Sequence, residues 1–395
     1  MNTRPPIESP SPTVVLSITF NDDCSCFAVG LNTGFCIFFA ETCALRTARD
    51  FNAGVGLVQM MGKANYLGLV GGGKQPKFAG NKLILWDDLK SKSALDISAL
   101  TPVRGVQLSK ERIVVVLQNS VRVFKFAKPP TLLSAYETAN NPWGLCCMSA
   151  RRIAFPGRTT GHVQLVEIAT GNVSIIPAHS SGLRAIQMSP DGELLATASE
   201  TGTLIRIFST ANCARLTELR RGIDPATIFS LAFNPAGTML ACTSDKFTLH
   251  IFDVPHPKRP APPVAANAAQ PPSPRRADGG HAAGPSENSG DGKGKWGILS
   301  KIPMMPRLFS DVYSFASAPF EAGEEPVIGG LPVSETTTLG TSRPPKGVLG
   351  WLSDTTLAVV GAGKDARWEK FAIQEGIDGR RQVVREGWKR YLGGS

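Results

Sequence analysis

Two adjacent arginines, Arg220 and Arg221, are the residues of this chain whose type and spacing point most directly to chemistry. They stand in the stretch E-L-R-R-G-I-D (218–224), within sequence that otherwise reads as strand and turn. Successive side chains of a strand point to opposite faces, so the two guanidinium groups would serve two different grooves. Gly222 would permit a backbone turn that a Cβ would hinder. Because a guanidinium group binds phosphate through a planar fork of donors, the pair suggests one anion-binding pocket on each side of a strand.

Polar residues of similar type flank the pair on both sides. The preceding set is His179, Thr197, Ser199, Thr203 and Arg206, and the following set is Ser244, Thr248 and His250. Arg206 and His250 occupy the same place, two residues before a phenylalanine. Hydroxyl groups add directional donors, and histidine can carry charge when a phosphate partners it. A plainer interpretation stays open, since Ser and Thr at such positions often only satisfy backbone groups in turns.

A repeat predicts the elements that position these residues. Segments beginning at Ile18, Ile186 and Leu231 each read as strand, polar turn, small-residue strand, second turn and an alternating strand that ends in Phe. Phe208 and Phe252 are 44 residues apart (252 − 208), and Phe38 lies 170 residues before Phe208, or four steps of about 42. A period of roughly 40 to 45 residues with four short strands is typical of β-propeller blades. A shared period argues against two β-sandwiches, although the repeat alone does not separate six, seven or eight blades.

Fainter copies of the repeat fill the remaining sequence. Residues 83–88 carry a strand that ends in Trp-Asp, and residues 112–126 read as two alternating strands around an Asn-Ser turn. Residues 152–168 show the same pattern, and residues 357–362 are predicted to begin the last unit. The prediction is a flexible N-terminus over residues 1–12 and one all-β propeller over residues 13–395, with four antiparallel strands per blade.

A Pro-rich, basic segment interrupts the pattern at residues 255–295 and is predicted to be a disordered loop inserted in the sixth blade. An apolar cluster with interspersed basic residues follows it. Its candidates for membrane insertion are Trp296, Ile298, Leu299 and Ile302. The same cluster could instead be an outer strand that returns to the fold, and both alternatives remain open.

Composition narrows the function classes. A net charge of +10 and a pI near 9.3 favour an anionic partner: nucleic acid, an acidic protein or a membrane surface. The N-terminus has no signal-peptide pattern, and no apolar run is long enough to cross a bilayer. The eight cysteines lie in strand-like runs without a CxxC pair, so we expect reduced thiols and no metal or cofactor. No nucleophile–base arrangement stands out, and we expect a protein that is not an enzyme.

The tetrapeptide L-R-R-G (219–222), in its setting between two blade-like repeats, resembles the hallmark of the PROPPIN family. Residues 71–88 also look like the second blade of that family, and residues 17–30 look like its first. The resemblance covers nearly the whole chain and implies a seven-bladed propeller of autophagy that binds phosphatidylinositol 3-phosphate and phosphatidylinositol 3,5-bisphosphate edge-on. Leu219 in place of Phe suggests the shorter-looped branch, from which the long insertion departs.

The resemblance also implies the roles of particular residues. The first lipid site would use His179, Thr197, Ser199, Thr203, Arg206 and Arg220, and the second Arg221, Ser244, Thr248 and His250. The loop from Pro255 to about Arg307 would insert into the bilayer. The large lipid-transfer protein of autophagy would engage Asn21, Asp23 and the loop 74–81. We expect a monomer that lies in the cytoplasm and attaches peripherally to preautophagosomal, endosomal and vacuolar membranes.

Three other functions are alternatives to phosphoinositide binding. A scaffold propeller would bind acidic peptides without lipid specificity. An RNA-binding propeller would show steep salt dependence that is insensitive to the Arg pair, and we expect no nucleic-acid partner. A hydrolase lacks any candidate site.

Overall fold

Alternating apolar residues and short polar turns fold this chain into antiparallel sheets. The computed structural model describes residues 13–256, 312–321, 327–328, 331–332, 346–362 and 365–392. Within those ranges the chain forms strands, and no helix is long and apolar enough to cross a membrane. The second strand of most sheets is buried on both faces, whereas the fourth is largely exposed, so each sheet runs from an interior strand to a rim strand.

The first four sheets each take four consecutive strands of the chain. Their bounds are β1 Val15–Phe20, β2 Cys26–Leu31, β3 Gly34–Phe39 and β4 Leu45–Asp50; β5 Val55–Met60, β6 Tyr66–Gly71, β7 Lys82–Asp87 and β8 Lys92–Ser98; β9 Gly105–Leu108, β10 Arg112–Val116, β11 Ser120–Lys125 and β12 Thr131–Glu137; β13 Cys147–Met148, β14 Arg152–Pro156, β15 His162–Glu167 and β16 Val173–Pro177.

The remaining strands complete three further sheets and a small hairpin. Their bounds are β17 Leu183–Met188, β18 Leu194–Ser199, β19 Leu204–Ser209 and β20 Arg215–Arg220; β21 Ile228–Phe233, β22 Met239–Ser244, β23 Thr248–Asp253, β24 Val312–Tyr313 and β25 Ala316–Pro319; β26 Val327–Ile328 and β27 Leu331–Pro332; β28 Val348–Trp351, β29 Thr356–Val360, β30 Arg367–Glu375 and β31 Arg381–Arg390.

These sheets are the blades of a seven-bladed β-propeller with four antiparallel strands per blade, which confirms the predicted fold class. The first strands of neighbouring sheets contact one another, as β1 does β5 and β21 does β28, and β28 contacts β1 to close the ring. The strands predicted in 112–126 are β10 and β11. Residues 357–362 do not begin the last blade, because β28 precedes β29 as its innermost strand.

The ring closes by side-chain packing, because the first and seventh blades each consist of strands from one continuous stretch. Phe27 and Phe38 of the first blade pack against Tyr391. Trp368 Nε1 donates a hydrogen bond to the Ala40 carbonyl at 2.9 Å across the same junction. The sequence did not predict this mode of closure.

The insertion connects the third and fourth strands of the sixth blade, since β23 pairs with β25. Before the chain reaches β25, β24 runs parallel to β20 and adds a fifth strand to the fifth blade. The predicted flexible N-terminus and disordered loop lie outside the described residues, apart from residues 255 and 256, and stay predictions.

Candidate functional site

The rim strand β20 separates two grooves between blades. Leu219 is fully buried in a core that the fifth and sixth blades share, with Leu240 and Phe252. Glu218 points to the other face, where it lies directly opposite Arg206. By strand alternation Arg220 shares the face of Glu218, toward the fourth blade, and Arg221 shares that of Leu219, toward the sixth blade.

On the fourth-blade side, three of the predicted first-site residues form one connected group. The His179 Nε2 atom lies 3.0 Å from the Thr197 hydroxyl. Arg206 is the cross-strand partner of Thr197, and its guanidinium donates a hydrogen bond of 2.6 Å to the Ala178 carbonyl. Arg220 lies at the end of the same face, opposite Leu204. The fold therefore brings one histidine and two arginines to a single groove.

Hydroxyl groups of the first site differ in their accessibility. Thr197 is fully buried and supports the histidine rather than facing solvent. Ser199 lies on the same strand face, and its hydroxyl hydrogen-bonds to that of exposed Thr201 at 2.7 Å. The Thr203 carbonyl accepts a hydrogen bond from the Arg221 backbone, so this residue links the two sites.

A carboxylate that the sequence analysis did not single out lies in the first groove. Glu218 Oε2 accepts a hydrogen bond of 2.7 Å from Arg206 Nε and lies 3.4 Å from an Arg215 nitrogen. Arg206 and Glu218 side chains are both about one-fifth exposed, at 21% and 20%. Glu218 therefore neutralises the charge of Arg206, and the Glu218 carboxylate would repel an anion that enters the groove. Because Glu218 is two residues before Arg220, strand alternation could have placed it on this face.

The same groove keeps its histidine neutral at physiological pH. Burial lowers the pKa of His179 to about 4, and the positive charge of Arg206 acts in the same direction. A neutral imidazole supplies a directional donor or acceptor, whereas an anion bound beside it would favour the protonated form.

On the sixth-blade side, the second predicted set repeats the geometry of the first. His250 lies opposite Cys242, as Arg206 lies opposite Thr197, so the two basic residues hold equivalent places in neighbouring blades. The ring of His250 stacks on Phe252, which belongs to the core between the fifth and sixth blades. This face of the sixth blade is the one that Arg221 approaches.

Two other members of the second set mainly hold a turn. Ser244 is fully buried and its hydroxyl accepts a hydrogen bond from the Lys246 backbone at 3.4 Å. The Thr248 hydroxyl donates to the Lys246 carbonyl at 3.2 Å. Both contacts satisfy backbone groups, as the plainer interpretation of these residues anticipates.

Arg221 is built into the fold more deeply than its neighbour. It is 7% exposed, and its Nε donates to the Gly202 carbonyl at 2.8 Å while a terminal nitrogen donates to the Asp224 carbonyl. Burial lowers the pKa of His250 to about 4, with a further contribution from the charge of Arg221.

The glycine that the local backbone needs is Gly202 rather than Gly222. Gly202 has φ +63°, and a Cβ there would lie 1.7 Å from the Ala226 carbonyl oxygen. A Cβ on Gly222 would meet nothing within 4 Å, and its φ lies outside the left-handed region. The conformational role expected of Gly222 is therefore wrong.

The structure also adds Ser314 to the second site, because its Oγ atom lies 3.1 Å from His250 Nδ1. These residues are 64 positions apart and separated by the insertion, so no local pattern could have joined them. The proposed membrane-insertion residues Trp296, Ile298, Leu299 and Ile302 lie outside the described residues.

The two places expected to engage a lipid-transfer protein lie at opposite ends of the first two blades. Asn21 and Asp23 are in the turn between β1 and β2, whereas residues 74–81 connect β6 to β7. The Asn21 side chain holds its own turn by accepting a hydrogen bond from the Cys26 backbone at 2.9 Å. Asp23 pairs with Lys63 at 2.8 Å and remains half-exposed.

Comparison with known sequences finds one family model, PROPPIN, which matches residues 14–265. The chain is 54% identical to SVP1-like protein 2 of Neurospora crassa, with 100% of this chain and 99% of the relative covered. It is 55% identical to SVP1-like protein 2 of Emericella nidulans, over 85% of this chain and 99% of the relative.

Among solved structures, Kluyveromyces lactis Hsv2 superimposes with a TM-score of 0.70 at 20% identity, covering 96% of this chain and 100% of the other. KlAtg21, solved in complex with the coiled coil of AgAtg16, gives a TM-score of 0.62 at 18% identity, covering 95% and 99%. These structural likenesses show the fold.

Proposed function

Since the chain belongs to the PROPPIN family, we propose that it is a phosphoinositide effector that recruits autophagy machinery to membranes. Its ligands would be phosphatidylinositol 3-phosphate and phosphatidylinositol 3,5-bisphosphate, bound in two pockets that flank Leu219–Gly222. The action is binding rather than catalysis, and attachment to preautophagosomal, endosomal and vacuolar membranes is part of the proposal.

One arrangement carries the proposal: by strand alternation Arg220, the last residue of β20, and Arg221, directly after it, face two different grooves. Buried His179 lies in the first groove and half-buried His250 lies in the second. In the first groove Arg206 donates to the carbonyl of Ala178, the residue before His179. In the second, the charge of Arg221 contributes to the lowered pKa of His250. A phosphate monoester carries close to two negative charges and several acceptor oxygens, which suits an arginine fork with an imidazole donor next to it.

We expect each pocket alone to bind its headgroup weakly and the two pockets together to bind a membrane tightly. Glu218 opposes an anion in the first groove, and in both grooves protonating a histidine whose pKa is lowered costs free energy. Two weak sites on one rigid body gain from effective concentration when both meet the same membrane, so avidity can exceed single-site affinity by roughly 10²-fold or more. A membrane should therefore be bound far more tightly than a soluble headgroup.

Recruitment requires protein partners as well as lipid. The complex of KlAtg21 with a coiled coil offers a precedent for such contacts on this fold, and a lipid-transfer protein of autophagy is proposed as one partner. The exposed carboxylate of Asp23 is a candidate contact.

Liposome flotation tests the proposal. Wild type should float with vesicles that contain phosphatidylinositol 3-phosphate and not with vesicles of unphosphorylated phosphatidylinositol, whereas Arg220→Thr/Arg221→Thr should float with neither. The control variant Arg151→Thr/Arg158→Thr also removes two positive charges, but from exposed positions of the fourth blade, and it should float like wild type. Equal flotation of all three proteins would mean generic charge attraction, and indifference to lipid phosphorylation would favour the acidic-peptide scaffold.

A further inference from the structure

The chain that returns from the insertion lies against both candidate pockets. Val312 and Tyr313 pair in parallel with Leu219 and Arg220 at the rim of the fifth blade. The next residue, Ser314, contacts the imidazole of the second pocket. Four consecutive residues, 312–315, therefore cross from one groove to the other.

This crossing segment is fixed where it enters the sixth blade. The Phe315 backbone donates a hydrogen bond of 3.0 Å to the Ile251 carbonyl. The Arg381 guanidinium lies 3.8 Å from the centre of the Phe315 ring and forms an ion pair with Asp253. Ser314 is thus held between two anchored residues and has a defined place beside His250.

The His250 ring has one nitrogen engaged and one available. Nδ1 is hydrogen-bonded to the Ser314 hydroxyl at 3.1 Å, whereas Nε2 has no hydrogen-bond partner among the described residues. Among the described residues, Phe252 stacks on the ring, Cys242 lies opposite on β22 and Ser317 opposite on β25, and the charge of Arg221 acts on the imidazole. None of these supplies a carboxylate that would compete with an anion.

A serine hydroxyl suits this position because it can act in both directions. Toward a neutral imidazole it donates to Nδ1, which leaves the proton on Nε2. Toward an imidazolium it accepts from Nδ1–H, and Nε2–H is again a donor. In either protonation state the nitrogen that is not held by Ser314 can donate to an anion.

We propose that Ser314 is a positioning residue of the second pocket, which fixes the His250 ring so that Nε2–H serves as the donor to a phosphate monoester. The inference rests on the proposed function for the identity of that monoester. It makes residues 312–315, which follow the insertion, part of the binding site, although no member of the L-R-R-G motif lies in that segment.

Titration calorimetry with a soluble short-chain phosphatidylinositol 3-phosphate tests the inference one pocket at a time. Arg220→Thr leaves only the second pocket, and Arg221→Thr leaves only the first. In the Arg220→Thr background, Ser314→Ala should weaken binding about 3- to 10-fold, the loss expected for one hydrogen bond. Ser314→Thr keeps the hydroxyl and should restore the affinity.

A matched control is Ser98→Ala, which removes an exposed hydroxyl at the end of β8 in the second blade and should leave the affinity unchanged. The effect of Ser314→Ala should be confined to the background that keeps the second pocket. Unchanged affinity on Ser314→Ala, or failure of Ser314→Thr to restore it at equal thermal stability, overturns the inference. Failure of wild type both to bind the soluble lipid and to float with phosphatidylinositol 3-phosphate vesicles overturns the proposed function itself, a result distinct from the other two.

Discussion

Arg221→Thr should lower the stability of the fold by about 2–4 kcal/mol, and Arg220→Thr should lower it by less. Arg221 is 7% exposed and donates from Nε to the Gly202 carbonyl and from a terminal nitrogen to the Asp224 carbonyl. A hydrogen bond from a charged group contributes about 1.5–3 kcal/mol. Asp224 is exposed, so water replaces part of the second contact, and the sum of two full bonds is reduced accordingly.

Thermal unfolding measures this difference. With an unfolding entropy of about 2.1 cal/mol/K per residue, a chain of this size loses roughly 1.2 °C of midpoint per kcal/mol. Arg221→Thr should therefore unfold about 2–5 °C below wild type. Arg220→Thr should differ from wild type by about 1 °C, because its side chain is half-buried where that of Arg221 is buried.

Two outcomes would refute this reasoning: equal midpoints for the two variants, or a lower midpoint for Arg220→Thr. Either would mean that the guanidinium of Arg221 does not hold the turn after β20. The result also decides how lipid-binding data are interpreted. If Arg221→Thr is the less stable variant, its flotation must be measured well below its midpoint before a loss is assigned to the pocket.

Three further perturbations have expected outcomes. His179 has a folded pKa of about 4 against 6.5 unfolded. Its contribution to stability is therefore complete above pH 6.5 and falls by about 1.4 kcal/mol per pH unit as the pH drops toward 4. In urea unfolding over that pH range, His179→Asn should lose less stability than wild type. Glu218→Gln should tighten headgroup binding about 2- to 5-fold by removing a charge beside Arg206, and unchanged affinity in calorimetry would show that Glu218 moves away when an anion enters. Gly202→Ala should cost about 2 kcal/mol or more because of its positive φ, whereas Gly222→Ala should unfold like wild type, and similar midpoints would contradict the assigned roles.

The fold was accessible from the sequence because each blade repeats the same local pattern. Phe208 and Phe252 mark equivalent strands, and the hydrogen-bond registers around them place Arg206 and His250 at equivalent positions. The mode of ring closure was not accessible. It depends on contacts such as that of Trp368 with Ala40, residues 328 positions apart, and no periodic pattern encodes such a pairing.

The candidate site likewise has features that the sequence predicted and features that only the structure shows. Strand alternation alone predicted that Arg220 and Arg221 face different grooves, and the burial of Leu219 in the core toward the sixth blade supports that geometry. Accessibility was harder to judge from sequence, because Thr and Ser on a strand look alike whether they are buried like Thr197 or exposed like Ser174. Ser314 required the three-dimensional structure, since only the fold brings the far end of the insertion back to His250.

The order of strands along the chain has a consequence for synthesis on the ribosome. The four antiparallel strands of each of blades one to five are consecutive, so these strands can pair as they emerge, and only β24 joins the fifth blade later. The strands of the sixth blade cannot all do so, because residues 254–315 separate β23 from β25. At roughly 5–20 residues per second, those 62 residues take about 3–12 seconds to appear. During that interval the edge of β23 is open to pairing with another nascent chain, and this is the stage at which a chaperone would protect the protein most.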